Sequence, residues 1–102
     1  MNIQFDCIAP EELNIELNAG KQVIIIDVRS LEEYNEMHIP MALNIPLDQL
    51  ELMAKAFDPS KTYVTVCGKG GGRSATGKEK LSELGFHASY LCGGTVGWFE
   101  HH

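Results

Sequence analysis

The sequence lacks any apolar run approaching the roughly 18 residues that cross a bilayer. Its first ten residues, MNIQFDCIAP, show no basic stretch followed by an apolar one. Neither a membrane partner nor a secretory leader is therefore expected, and a cytoplasmic location is. Cysteine is scarce: three in 102 residues, an odd number with no CxxC pair. That excludes a disulfide framework and a zinc-ligating pattern, and in a reducing compartment all three are expected as thiols. Positive charge is also short. Eight Lys and Arg against fourteen Asp and Glu leave a net charge of −6, which argues against nucleic acid as a partner because that needs a clustered basic face. Repeats, low-complexity tracts and linkers are missing too, so one domain over residues 1–102 is the expectation.

The scarce positive charge is concentrated. Lys69, Arg73, Lys78 and Lys80 lie within residues 69–80, where Glu79 is the only acid. A solvated helix face accounts for this as well as an anion site does, and charge alone leaves both readings open.

Short β-rich runs alternate with helical stretches, an α/β pattern. Residues 3–8 read as a strand, and Pro10 opens a helix with Glu11 and Glu12 in its first turn and Gly20 as its stop. The run VIIIDV at 23–28 is apolar without alternation, as in a strand buried on both faces of a parallel sheet. Ser30 and Glu33 have the spacing of a capping box for a short helix over 31–37. A strand over 42–45 follows, then an amphipathic helix over 47–57 with Leu47, Leu50, Ala54 and Phe57 on one side. Residues 63–67 (YVTVC) form the next buried strand, 75–84 a helix and 88–91 a last strand, and the tail closes with a helical turn. Ligands of such sheets sit beyond the carboxyl ends of the strands, where Cys67 falls.

Residues 67–74 read CGKGGGRS. Gly68, Gly70, Gly71 and Gly72 permit backbone conformations closed to other residues, so successive N–H groups are expected to turn inward and cradle an anion. A helix starting near Ser74, its N-cap, adds unpaired N–H groups and a positive dipole end. With Arg73 and Lys69, these donors would favour thiolate at Cys67, below the reference thiol pKa of about 8.5. The bland alternative is a buried cysteine before a flexible turn, but four glycines in five positions with a closing arginine are hard to explain that way. The loop has neither the GxxxxGK[ST] order of a phosphate-binding P-loop nor the GxGxxG order of a dinucleotide site.

Three separated segments resemble the rhodanese family: IIDVRSLEEYNEMHIPMALNIPL, TVCGKGGGRSA and LCGGTVGW. The resemblance implies a central, mainly parallel five-stranded sheet flanked by helices on both faces. It also implies that Cys67 accepts a sulfane sulfur as a persulfide, taking it from a small anionic donor such as thiosulfate and passing it to a thiol or to cyanide, with neither metal nor organic cofactor. Asp27, Arg29, Glu32 and His38 fall in the signature segment. Asp27 and Arg29 are expected as a supporting pair, His38 as a packing or hydrogen-bonding group at a helix end, and Trp98 as core or pocket wall. Cys7 is expected to be inert and Cys92 to be a small buried residue, with resolution of an oxidised Cys67 as its alternative role. No ligand role is assigned to His101 or His102.

Two departures stand out. Met37 and Met41 replace glycines usual around the His-Ile-Pro segment. Five residues rather than four separate Cys67 from Arg73, which is similar to the loop of the cell-division-cycle dual-specificity phosphatases and related arsenate reductases. Against phosphoryl chemistry, Val28 stands where those phosphatases carry a protective cysteine, and no carboxylate in or beside the loop offers itself as a general acid. A binding module with a vestigial site is a third reading, disfavoured because Cys67, Arg73 and the glycines are all kept.

Overall fold

The computed structural model describes residues 7–69 and 71–101. The expected strand positions before Cys7, together with Gly70 and His102, lie outside them. Five parallel strands form one sheet in the order β1-β5-β4-β2-β3: β1 (Cys7–Ile8), β2 (Val23–Asp27), β3 (Leu43–Asn44), β4 (Thr62–Val66) and β5 (His87–Leu91). The expected α/β sheet with helices on both faces is the fold observed.

Alternation along β2 and β4 divides the core into two layers. Ile25, Val64 and Val66 pack with Leu13 of α1 (Pro10–Asn18) and Trp98 of α5 (Gly94–Glu100). Ile26, Tyr63 and Cys67 face the other way, with Leu50 of α3 (Leu47–Met53) and Leu81 of α4 (Gly72–Glu83). Leu13, Leu50 and Leu81 are fully buried, each removing enough apolar surface to favour the fold by about 1.5–3 kcal/mol. β2 and β4 are largely buried on both faces, which is why their sequences show no polar alternation.

Local signals place the connections. Pro10 sits in the first turn of α1 with Glu11 and Glu12, where its missing N–H costs nothing. Ser30 caps α2 (Leu31–Glu36) through the full capping box: its hydroxyl accepts from the Glu33 N–H, and the Glu33 carboxylate accepts from the Ser30 N–H.

Two expectations are corrected. The helix after the glycine loop begins at Gly72, and its N-cap is Gly71 rather than Ser74. The Gly71 carbonyl takes the N–H groups of Ser74 (3.0 Å) and Ala75 (3.3 Å), leaving the Ser74 side chain free to point inward. The second correction concerns cysteine. Cys7 and Cys92 form a disulfide, and only Cys67 is a free thiol. Parallel pairing of β1 with β5 sets Cys7 opposite Tyr90 and brings the Cys7 and Cys92 Cα atoms to 5.1 Å, within bridging range. Cys92 is thus not available in this state to resolve Cys67, and the expectation of three reduced thiols does not hold. No helix among the described residues is long and apolar enough to cross a membrane.

Candidate active site

The carboxyl ends of β2 and β4, adjacent in the sheet, deliver the site. After β2 comes a buried pair: the Arg29 guanidinium donates to both Asp27 carboxylate oxygens, Nε at 2.9 Å and the terminal nitrogen at 2.8 Å. The same terminal nitrogen reaches the Met37 carbonyl at 2.6 Å, tying the end of α2 to the sheet. Asn44 Nδ2 donates to the carbonyls of Asp27 and Arg29. The hydrogen bond to Asp27, and secondarily its charge, raise the Arg29 pKa against the opposing effect of burial. This pair fixes neighbouring loops. His38 behaves likewise: its Nδ1 lies 2.8 Å from the Tyr34 carbonyl and its ring stacks on Tyr34 with centroids 3.7 Å apart.

After β4, Cys67 is buried, 6% exposed. Its thiol donates to the Gly71 carbonyl at 3.3 Å and to Ser74 Oγ at 3.2 Å. The Ser74 hydroxyl donates to that same carbonyl at 2.8 Å, so its oxygen lone pairs face the sulfur. The expected cradle is therefore modified. A carbonyl as well as a helix N-terminus faces Cys67, and the positive φ of Gly71 (96°) and Gly72 (33°) allows the chain to make that turn. Thr65 Oγ1 holds the Ser74 carbonyl at 2.7 Å, fastening the first turn of α4 to the strand carrying Cys67.

A further support was not read from the sequence. The first turn of α5 donates to the glycine loop's backbone, Thr95 N–H to the Cys67 carbonyl at 2.8 Å and Val96 N–H to the Gly68 carbonyl at 3.0 Å. These are the unpaired N–H groups that every helix start carries. The Gly93-Gly94 pair, at φ 77° and 60°, turns the chain to present them. That glycine pair ahead of an apolar tail was the available signal.

Arg73 differs most from expectation. Its guanidinium makes a fork to Glu33, with nitrogens 2.8 Å from Oε1 and 3.1 Å from Oε2. The hydrogen bonds from Arg73 first, then from the Ser30 backbone, hold the Glu33 carboxyl down at about 2. Lys69 is exposed. Arg73 also borders a cleft of about 670 Å³ whose lining includes Val28, Ser30, Pro46, Leu47, Glu51 and Lys80. Cys67 is not among the lining residues, but Val28 and Cys67 belong to one packed cluster against which Leu47 also rests. Trp98 lies in the opposite core layer, with α1. No group of His, Cys, Asp and Glu among the described residues has the arrangement of a metal site.

Comparison with known proteins agrees with this architecture. A family model described as "Rhodanese-like domain" matches residues 9–101. A putative sulfurtransferase, YtwF, of Bacillus subtilis is 32% identical over 91 residues, covering 89% of this chain and 87% of its own. The thiosulfate sulfurtransferase GlpE of Coxiella burnetii is 32% identical over 88 residues, 85% of this chain and 81% of its own. Among solved structures, a rhodanese-like domain protein from Staphylococcus aureus superposes with a TM-score of 0.81 at 37% identity, covering 90% of this chain and 89% of that one. Matched over most of its length by that family model and by these relatives, the chain belongs to the rhodanese-like domain family.

Proposed function

We propose that the protein is a sulfurtransferase that carries sulfur as a persulfide on Cys67. The observation that carries this reading is the placement of the free thiol: at the carboxyl end of β4, against Ser74 Oγ and the start of α4, six residues before Arg73. In the first half-reaction the Cys67 thiolate attacks the outer sulfur of a donor such as thiosulfate. A sulfur–sulfur bond forms, the donor's own sulfur–sulfur bond breaks, and sulfite leaves with its electron pair. In the second, a thiol or cyanide attacks the terminal sulfur of the persulfide and Cys67 is regenerated, a ping-pong cycle. Ser74, fixed by Thr65, is placed to turn its hydroxyl toward an anionic sulfur once the Cys67 proton has gone. The scheme uses no metal or organic cofactor. Its partners are a small sulfur donor and a thiol acceptor, with neither nucleic acid nor membrane involved.

Loop length favours a second reading, oxyanion chemistry of the phosphatase or arsenate reductase kind. Against it, the Arg73 fork that would clamp equatorial oxygens is engaged by Glu33. Intact-mass measurement after thiosulfate treatment, beside an aryl phosphate assay, separates the two. One added sulfur in the reduced protein, absent from a folded Cys67→Ser variant, is the expected result. Cys67-dependent phosphate release with no added sulfur would replace this reading with the second.

A further inference from the structure

Cys7 and Cys92 have no part in the loading of Cys67, yet the sheet brings them to the same edge. β5 lies between β1 and β4. Thr65 and Tyr90 are partners in the pairing of β4 with β5, and Cys67 and Cys92 each stand two residues further along the chain. The face agrees as well. Ile8 and Leu91 point into the layer with α1 and α5, so the alternation of strand side chains turns Cys7 and Cys92 to the opposite layer, the one that holds Cys67. The turn that follows Cys92 is fastened to the same loop, because the Thr95 N–H holds the Cys67 carbonyl at 2.8 Å.

Access differs between the two centres. Cys67 is 6% exposed, whereas Cys7 and Cys92 are half-buried. A persulfide on Cys67 is thus sheltered from a protein-sized reductant, while the bridge stands where one can reach it. Opening the bridge frees two thiols on the face of the loaded cysteine, and among the described residues no other cysteine is available to discharge it.

Resting on the sulfur-transfer reading, we propose that Cys7 and Cys92, in their dithiol form, are a second reactive centre that takes the sulfur from Cys67 and releases it as sulfide, closing the bridge present in the structure. Each step balances. The Cys92 thiolate attacks the outer sulfur of Cys67–S–SH, a bond to that sulfur forms, its bond to Cys67 breaks, and the Cys67 thiolate leaves with the electron pair. The proton stays on the transferred sulfur, giving Cys92–S–SH. The Cys7 thiolate then attacks Sγ of Cys92, the bond between the two cysteines forms, and HS⁻ leaves with its electron pair. The transferred sulfur is reduced by two electrons and the dithiol is oxidised by two. An external dithiol reopens the bridge by exchange and is itself oxidised to a disulfide.

The test adds excess thiosulfate to protein that has been reduced with a phosphine, freed of reductant and kept without oxygen. Sulfide, intact mass and peptide maps are followed together. Reduced wild-type protein lacks the bridge as the serine variants do, so stability does not separate them. The wild-type protein is expected to release one sulfide per chain and then, its bridge closed, to reload, ending one sulfur heavier and two hydrogens lighter than it began. Cys92→Ser should hold its sulfur on Cys67 and release sulfide on the order of a hundredfold more slowly, because the discharging thiol is then on another molecule. Cys67→Ser should release none. In Cys7→Ser, Cys92 should be found carrying a sulfur or bridged to Cys67. Wild-type protein that holds its sulfur as long as Cys92→Ser would overturn the proposal, as would equal sulfide from Cys67→Ser or an unmodified Cys92 thiol in loaded Cys7→Ser. Loading without discharge thus overturns this second centre alone. Neither loading nor sulfide in any of the proteins overturns the sulfur-transfer reading, and the second centre with it.

Discussion

Met41 adopts φ 77° with its side chain 68% exposed, a left-handed conformation that costs an L-residue about 1–2 kcal/mol. Glycine adopts it freely but loses more backbone entropy on folding, about 0.5–1 kcal/mol. Met41→Gly should therefore stabilise the protein by roughly 0.5–1 kcal/mol in equilibrium urea unfolding, and a loss would mean that contacts hold the methionine there. Gly77 is the opposite case. A Cβ built on it would lie 3.2 Å from Thr65 Cγ2, 3.3 Å from Leu50 Cδ2 and 3.5 Å from Val28 Cγ1. All three neighbours are buried and cannot withdraw. Overpacking of about 1–3 kcal/mol exceeds the gain of about 1 kcal/mol in helix propensity, so Gly77→Ala should lower stability by about 1 kcal/mol in the same measurement. The effect at Gly77 is not legible from sequence, because it depends on what faces the residue across the core, whereas Met41 was marked by standing where a glycine is usual.

The start of α2 was legible because its contacts are local: Ser30 and Glu33 lie three residues apart, and a capping box follows from that spacing alone. The buried runs at 23–27 and 62–66 were legible for a related reason, since parallel strands covered on both faces have no polar alternation to hide them. The same glutamate's second role was hidden. Its partner Arg73 is 40 residues away, and the pairing exists only because β2 and β4 are neighbours and end at the same edge. This pair makes a pH-dependent prediction. Glu33 binds its proton less readily folded than unfolded, so its contribution is fully present above the ordinary value of 4.5 and is lost as pH falls toward about 2. The wild-type protein should exceed Glu33→Gln in stability at pH 6 by about 0.5–1 kcal/mol, a figure kept small because both side chains are substantially solvent-exposed. Thermal unfolding followed from pH 6 to pH 2 should show the two converging over that window. A constant difference would place the effect of Glu33 elsewhere than in its charge.

Across the whole molecule, the sequence's three cysteines suggested three thiols because pairing is set by topology, not spacing. Cys7 and Cys92 are 85 residues apart and meet only once β1 adds to the edge of the sheet beside β5. A bridge closing so long a loop constrains the unfolded chain strongly, by about 4 kcal/mol in the chain-entropy description. Its native position matters as well. Cys92 immediately precedes the Gly93-Gly94 turn, and the helix that follows holds the Cys67 and Gly68 carbonyls. Those hydrogen bonds come from the first turn of α5, whose Trp98 is anchored independently in the core between α1 and the sheet. The glycine loop's support thus has a second attachment besides the disulfide. Cys7→Ser/Cys92→Ser should therefore lose melting temperature, by roughly 15–30 °C for 4 kcal/mol in a domain of this size, while the folded variant still loads sulfur on Cys67 at a rate within about twofold of the parent protein. Calorimetry with intact-mass loading at 20 °C checks both parts. Sulfur loading lost together with Tm, in protein still folded by circular dichroism, would mean that the bridge itself holds α5 against the loop, and that the buried tryptophan is not a sufficient anchor.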